Sequence, residues 1–294
     1  MRAFGQFAAG LRSAVALLVL LLGGAAIVVV RTSAAPGVVP TPDALRDTGA
    51  EKLDAALAAG GSGIRFEVSQ VSTLYAKPDG PRIELRDPAD PQKVIGSVDE
   101  YQVGTVLSQG GATAEAFWMD MSIARGEQAD FETAELFARV LERDGKLWRD
   151  DGRGWYETDE SPGVGMDPVT ARALAGALRS MAEAKAVEPA SFDGRTLAGI
   201  AGTSTPEAYP GVIAADGAAF TEKTFGVTCR FDEDGRLVRL EASARNLNQE
   251  TYDLIVTTVV TISYGSPGDP PDPTPTMAPE VPPTSEPEAA EVPA

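Results

Sequence analysis

Apolar and polar side chains alternate in several stretches of this chain, and the alternation predicts most of its elements. Ile64, Phe66 and Val68 are interleaved with Arg65, Glu67 and Ser69, the period of a half-buried strand. Ile83 and Leu85 repeat the pattern after the Asp79-Gly80-Pro81 turn. Two further strands are predicted over 94–107 and 112–124, separated by Gly110-Gly111. In the second, Phe117, Met119, Met121 and Ile123 share one face, while Trp118, Asp120 and Ser122 take the other. Asp144-Gly145 and Asp151-Gly152 read as hairpin turns, with Leu147, Trp148, Trp155 and Tyr156 as strand apolars. After Asp193-Gly194, strands follow at 196–203, 225–231, 237–244 and 251–264. Phe225, Val227, Cys229 and Phe231 alternate in the second of these. The last strand places Tyr252, Leu254, Val256, Val260 and Ile262 on one side and Ile255 and Val259 on the other, as in a strand covered on both faces.

Two segments switch to a helical period. Residues 43–59 place Leu45, Leu53, Ala56 and Leu57 near one face, with Asp43 as the expected cap and Gly60-Gly61 as the stop. A second helix is predicted from Asp167-Pro168 to about Lys185, with Leu174, Leu178 and Met181 as its apolar stripe. The sum is an α+β domain over residues 43–265: a long antiparallel sheet, one helix before it and one inserted midway.

Both ends of the chain have a different character. Residues 13–30, SAVALLVLLLGGAAIVVV, contain no charge and follow Arg2 and Arg12. A helix of that length is roughly 27 Å long, close to the hydrocarbon core of a bilayer. Residues 1–31 are therefore expected to be a signal anchor or, with a cleavage site in Thr32-Ser33-Ala34-Ala35, a signal peptide. A buried core helix is the third alternative. The arginines leave the N-terminus in the cytoplasm and the domain outside: single-pass in the cell membrane, or secreted after cleavage. Residues 32–42 read as a linker. Residues 266–294 hold ten of the 22 prolines, six acids and no base, the composition of an extended, disordered tail.

Composition narrows the chemistry. The net charge is −18, and part of it belongs to the tail. No basic block is present, so nucleic acid is not an expected partner. The absence of histidine excludes Ser-His-Asp and Cys-His mechanisms and His-liganded metal sites. One cysteine, Cys229, excludes an intrachain disulfide and reads as a small buried apolar residue. Gly163-x-Gly165 lacks a third glycine, and Asp232 and Asp234 lack the spacing of a calcium loop. No cofactor, metal or catalytic set is expected.

The order of elements over about 45–265 resembles the LolA/LolB-like superfamily, and in particular the LppX/LprG lipoprotein family. The resemblance is carried by the hairpin DGKLWRDDGRGWYE, the Pro-opened helix, the strand after FDGRTLAGIAG, the hairpin VTCRFDEDGRLVRLEAS and the long strand ending TISYGSP. It implies a strongly curved antiparallel half-barrel with helices over its open side, and the binding of acyl-chain lipids or lipoproteins in the cell envelope. The lipidated cysteine with which those lipoproteins begin is missing, and a hydrophobic span stands in its place. This favours a tethered binder over a shuttle.

The cavity so implied would be lined by Phe66, Val68, Met119, Met121, Leu174, Leu178, Met181, Phe225, Val227, Val256 and Ile262. Its ligand would be a lipid or other long apolar molecule. The same residues would line a filled core. In that case the alternative is an RseB-like, non-enzymatic sensor or interaction protein of the envelope, acting through its surface and its tail on a protein partner.

Overall fold

The computed structural model describes residues 40–58, 62–124, 130–160, 166, 168–209, 223–246 and 251–274. All of them fall in one unit, Pro40–Ala294. The expected span over residues 13–30 and the linker up to Val39 lie outside the described residues. Among the described residues no helix is long and apolar enough to cross a membrane.

Helix α1 (Pro42–Ala58) opens the domain. Its cap is Thr41 rather than Asp43: Thr41 Oγ1 accepts from the Ala44 amide at 3.2 Å, and Pro42 takes the first helical position, where no amide hydrogen is needed. The expected stop at Gly60-Gly61 lies outside the described residues.

Strands β1 (Gly63–Ala76), β2 (Ile83–Asp87), β3 (Asp90–Val98), β4 (Glu100–Thr113), β5 (Ala116–Ala124), β6 (Glu135–Arg143), β7 (Lys146–Asp150) and β8 (Tyr156–Thr158) follow. Then come helix α2 (Pro168–Arg179) and strands β9 (Ala182–Phe192), β10 (Arg195–Ser204), β11 (Phe225–Phe231), β12 (Leu237–Asn246) and β13 (Tyr252–Gly265).

Eleven strands form one sheet in the order β8-β7-β6-β5-β4-β1-β13-β12-β11-β10-β9, and β2 and β3 make a separate hairpin. The pairings are antiparallel throughout, and the central ladder joins the first and last strands, β1 and β13, over 14 residue pairs. The α+β architecture is as expected from the sequence. The sheet is curved, and α1 crosses it, touching β4, β1, β12, β10 and β9.

Three expectations are corrected. The strand read as 94–107 is two strands, β3 and β4, with a break at Asp99. Gly110-Gly111 does not separate strands but lies inside β4. The true turn is at Thr113–Ala116, where Thr113 Oγ1 accepts from the amides of Glu115 and Ala116. The glycines serve close approach. A Cβ at Gly110 would overlap the Trp118 carbonyl, and one at Gly111 would meet the Trp118 ring and Pro267. The third correction is the midway helix, which ends at Arg179 rather than Lys185, with Ala182–Phe192 forming edge strand β9. Met181 is thus not on the helix. It follows it, packed against Gly202 of β10.

Candidate functional site

The concave face of the sheet carries the apolar half of each alternating strand. Phe66 lies opposite Ile262, and Val68 opposite Val260. Met119 and Met121 face Val140 and Ala138 on the next strand. Val227 pairs with Ala242, and Cys229 with Leu240. All eleven residues expected to line a cavity are buried, none more than 4 % exposed. Ten of them join one contiguous apolar cluster; Val256 is buried outside it.

Both helices lie in this concavity and reach the rim formed by the β4–β5, β6–β7 and β11–β12 turns, while the end of α2 leads toward the other rim, where Met181 packs on Gly202 and its carbonyl accepts from Arg46 of α1 at 3.4 Å. Leu57 of α1 and Pro168, Ala171 and Arg172 of α2 border a cavity of about 170 Å³ with the first two of these turns. Thr48 of α1 packs on Gly235 in the third. The contacts here are close. A Cβ on Gly49 would lie 2.5 Å from the Phe231 ring and 3.2 Å from Leu178. Phe66 stacks on Phe117 at 5.4 Å. Two ion pairs tie α2 in place: Arg172 with Glu142 of β6, through bonds of 2.5 and 2.7 Å, and Arg179 with Asp54 of α1 at 2.5 Å.

The opposite rim is different. It is formed by the ends of β1, β5, β10 and β12 and the starts of β4, β6, β11 and β13. Four of the exposed large apolar side chains lie on strand ends there: Tyr101, Val103, Ile123 and Leu136. Val94 and Ile95, also exposed, lie on the β2–β3 hairpin that joins β1 to β4 at this end. The connections 125–129, 210–222 and 247–250 are outside the described residues.

Polar atoms also line the concavity, and sequence reading missed them. Gln70, Ser108 and Thr258 are buried among the apolar positions, as are Ser204 and Tyr209. Gln70, Thr258 and Ser204 fall on the apolar phase of their strands, whereas β4 is buried on both phases and gave no such signal for Ser108. Other chemistry-bearing residues have structural roles. Asp232 Oδ1 accepts from the amides of Asp234 and Arg236, shaping the β11–β12 turn. Asp144-Gly145 and Asp193-Gly194 both have positive φ at each residue, the geometry of a two-residue hairpin turn. Cys229 is fully buried, and burial pushes its thiol pKa far above the ordinary range. Among the described residues no group of three or more His, Cys, Asp or Glu is placed to hold a metal ion. Gly163 and Gly165 lie outside the described residues.

No family model matches the chain, and no curated protein does. Solved structures do. LprF from Mycobacterium bovis is 10 % identical, with a TM-score of 0.43, and the match covers 79 % of this chain and 96 % of that one. The Mycobacterium tuberculosis lipoprotein LppX is 9 % identical, with a TM-score of 0.39, covering 78 % and 97 %. A LolA superfamily protein from Nitrosomonas europaea is 10 % identical, with a TM-score of 0.25, covering 79 % and 95 %.

Proposed function

We propose that this chain is a non-enzymatic, extracytoplasmic binding protein that holds an acyl-chain lipid between its curved sheet and its helices, tethered to the membrane by residues 13–30. The observation that carries this reading is the concave face. Side chains from strands β5 to β10 and from α2 converge on one apolar surface, and exposed Tyr101, Val103, Ile123 and Leu136 lie on β4, β5 and β6 at one part of its rim. An acyl chain entering there gains about 0.8 kcal/mol for each methylene removed from water. Holding a ligand requires no catalytic group, which suits a concavity built from neutral side chains.

The closely packed end favours a second reading. Gly49, Phe231 and Leu178 leave no room between α1 and the sheet, as in a filled core. Under that reading the domain acts through its outer surface and tail, as an envelope sensor or interaction module.

Native mass spectrometry of the full chain, purified after export, separates the two. Co-purifying acyl lipid, or stoichiometric uptake of a labelled fatty acyl probe, is the result expected of a binder. A protein that is consistently empty and takes up no probe overturns it. Crosslinking to a partner that requires residues 266–294 would then support the second reading.

A further inference from the structure

Along β4, β1 and β13 the buried concave wall is apolar except for one band. Ser108 on β4, Gln70 on β1 and Thr258 on β13 sit on three adjacent strands. Gln70 faces Thr258 directly and donates its Nε2 hydrogen to Thr258 Oγ1 at 3.1 Å. Ser108 lies opposite Val68 on one side and Met121 on the other. It is fully buried, and its hydroxyl has no hydrogen-bond partner. Across the concavity, Ser204 at the end of β10 and Tyr209 beyond it are also buried with unpartnered hydroxyls. The Tyr209 ring packs edge-on against Phe225 at 6.1 Å.

Folding alone disfavours this pattern. A buried hydroxyl without a partner loses its bonds to water and gains nothing in return. Valine or alanine at position 108 would continue the apolar wall. The residues beside the band show that the strands use such side chains freely: Val68, Val260 and Val256 flank it along β1 and β13. The band is also neutral, for every concave position of β1, β4 and β13 is apolar, Gly, Ser, Thr or Gln. It offers the Ser108 hydroxyl to a neutral oxygen and no cation to a carboxylate.

We propose that Ser108, with the Gln70–Thr258 pair beside it, forms a hydrogen-bonding subsite for the oxygen-bearing linkage of an acyl ligand, an ester, amide or hydroxyl, so that the concavity selects functionalised acyl chains over plain hydrocarbon. This rests on the lipid-binding reading above and specifies its ligand class. Ser108 donates to the linkage oxygen, and the acyl chain lies along Met121, Val68 and Val260.

Competition against a dansyl-labelled fatty acyl probe bound to the full chain tests it. Methyl laurate and tridecane carry the same number of carbons and differ by one ester. The wild-type chain is expected to bind the ester at least as tightly as the alkane. Ser108→Ala is expected to shift that preference about fivefold toward the alkane, the size of one neutral hydrogen bond. Ser108→Cys, nearly isosteric, guards against a folding defect and is expected to shift the preference in the same direction. An unchanged preference in both variants means that Ser108 holds an internal water only, and overturns the subsite while leaving lipid binding intact. Failure of the wild-type chain to bind probe, ester or alkane overturns both.

Discussion

Gly49 of α1 lies flat against the ring of Phe231 on β11. A methyl group at position 49 would sit 2.5 Å from Cε1 and 3.2 Å from Leu178 on α2. This contact fixes how closely α1 and α2 approach the sheet, and it bears directly on whether that end of the concavity is solid. Gly49→Ala sets two effects against each other. Alanine favours the helix by about 1 kcal/mol. Overpacking a well-filled core costs about 1–3 kcal/mol. Phe231 and Leu178 are fully buried and have nowhere to retreat, so the second effect wins. The variant is expected to be destabilised by up to about 2 kcal/mol in urea unfolding. A stabilised variant would show that this end is loosely filled.

How much of this was legible beforehand depends on the strand. The phase of alternation placed Phe66, Met119, Val227 and Ile262 on the buried face, because a strand covered on one side exposes its period directly. Edge strand β9 gave no such signal. Its sequence, AEAKAVEPASF, is exposed along most of its length and rich in helix formers, so its first residues, to Lys185, read as a continuation of α2. The backbone stops the helix at Arg179, and Glu183 adopts φ 55° as β9 begins. Pro189 is tolerated because β9 is the last strand of the sheet. Gly110 and Gly111 misled for another reason. Glycine marks both turns and close backbone approach, and only the position of Trp118 distinguishes the two. The polar band was missed because Gln and Thr on an apolar phase, and Ser on a strand buried on both phases, look like noise until their burial is known.

The Arg172–Glu142 and Arg179–Asp54 pairs hold the two ends of α2 to different neighbours. Both arginines are largely exposed, so each pair adds little to stability, about 0.2–1 kcal/mol. If α2 moves aside to admit a ligand, these pairs must open first. Arg172→Ala combined with Arg179→Ala is expected to change the melting temperature by only a few degrees while speeding both uptake and release of an acyl probe in stopped-flow fluorescence. Unchanged rates would mean that α2 stays in place during binding.

The C-terminal segment is fastened to the sheet before the described residues end. Pro267 is buried against Gly111, its carbonyl accepts from Arg65 at 3.5 Å, and Arg143 approaches Asp272 at 3.7 Å. Truncation after Thr274 keeps all three contacts and is expected to leave stability unchanged. Truncation after Gly265 removes the cover from Trp118 and Gly111. It is expected to cost about 1–2 kcal/mol, from the apolar area re-exposed, and to shift tryptophan emission to the red. Equal stability of the two truncations would reduce these contacts to a passive coating.

Two buried acids, Cys229 and Tyr209, and the partly buried Tyr264 set the alkaline limit of the fold. Burial raises the pKa of Cys229, Tyr209 and Tyr264, and Asp232 beside Tyr264 raises it further while Arg236 partly offsets this. The folded chain therefore keeps these protons when the unfolded chain releases them, at the ordinary values of 9.0 for a thiol and 10.0 for a phenol. Above those values the unfolded state binds fewer protons than the native state, so stability falls as pH rises. The slope approaches about 1.4 kcal/mol per pH unit for each group. Below about pH 8 all three are protonated in both states and contribute no pH dependence. Urea midpoints measured from pH 7 to 11 are expected to hold steady at first and then fall from about pH 9, more steeply past 10. Cys229→Ala removes the earliest part of the fall and leaves the tyrosine part. The same burial predicts that Cys229 resists a thiol reagent in the native protein and reacts fully in denaturant. Native-state labelling at the rate of a free thiol, or a midpoint that is flat to pH 11, would contradict the burial of Cys229 and Tyr209 in the core and of Tyr264 against it.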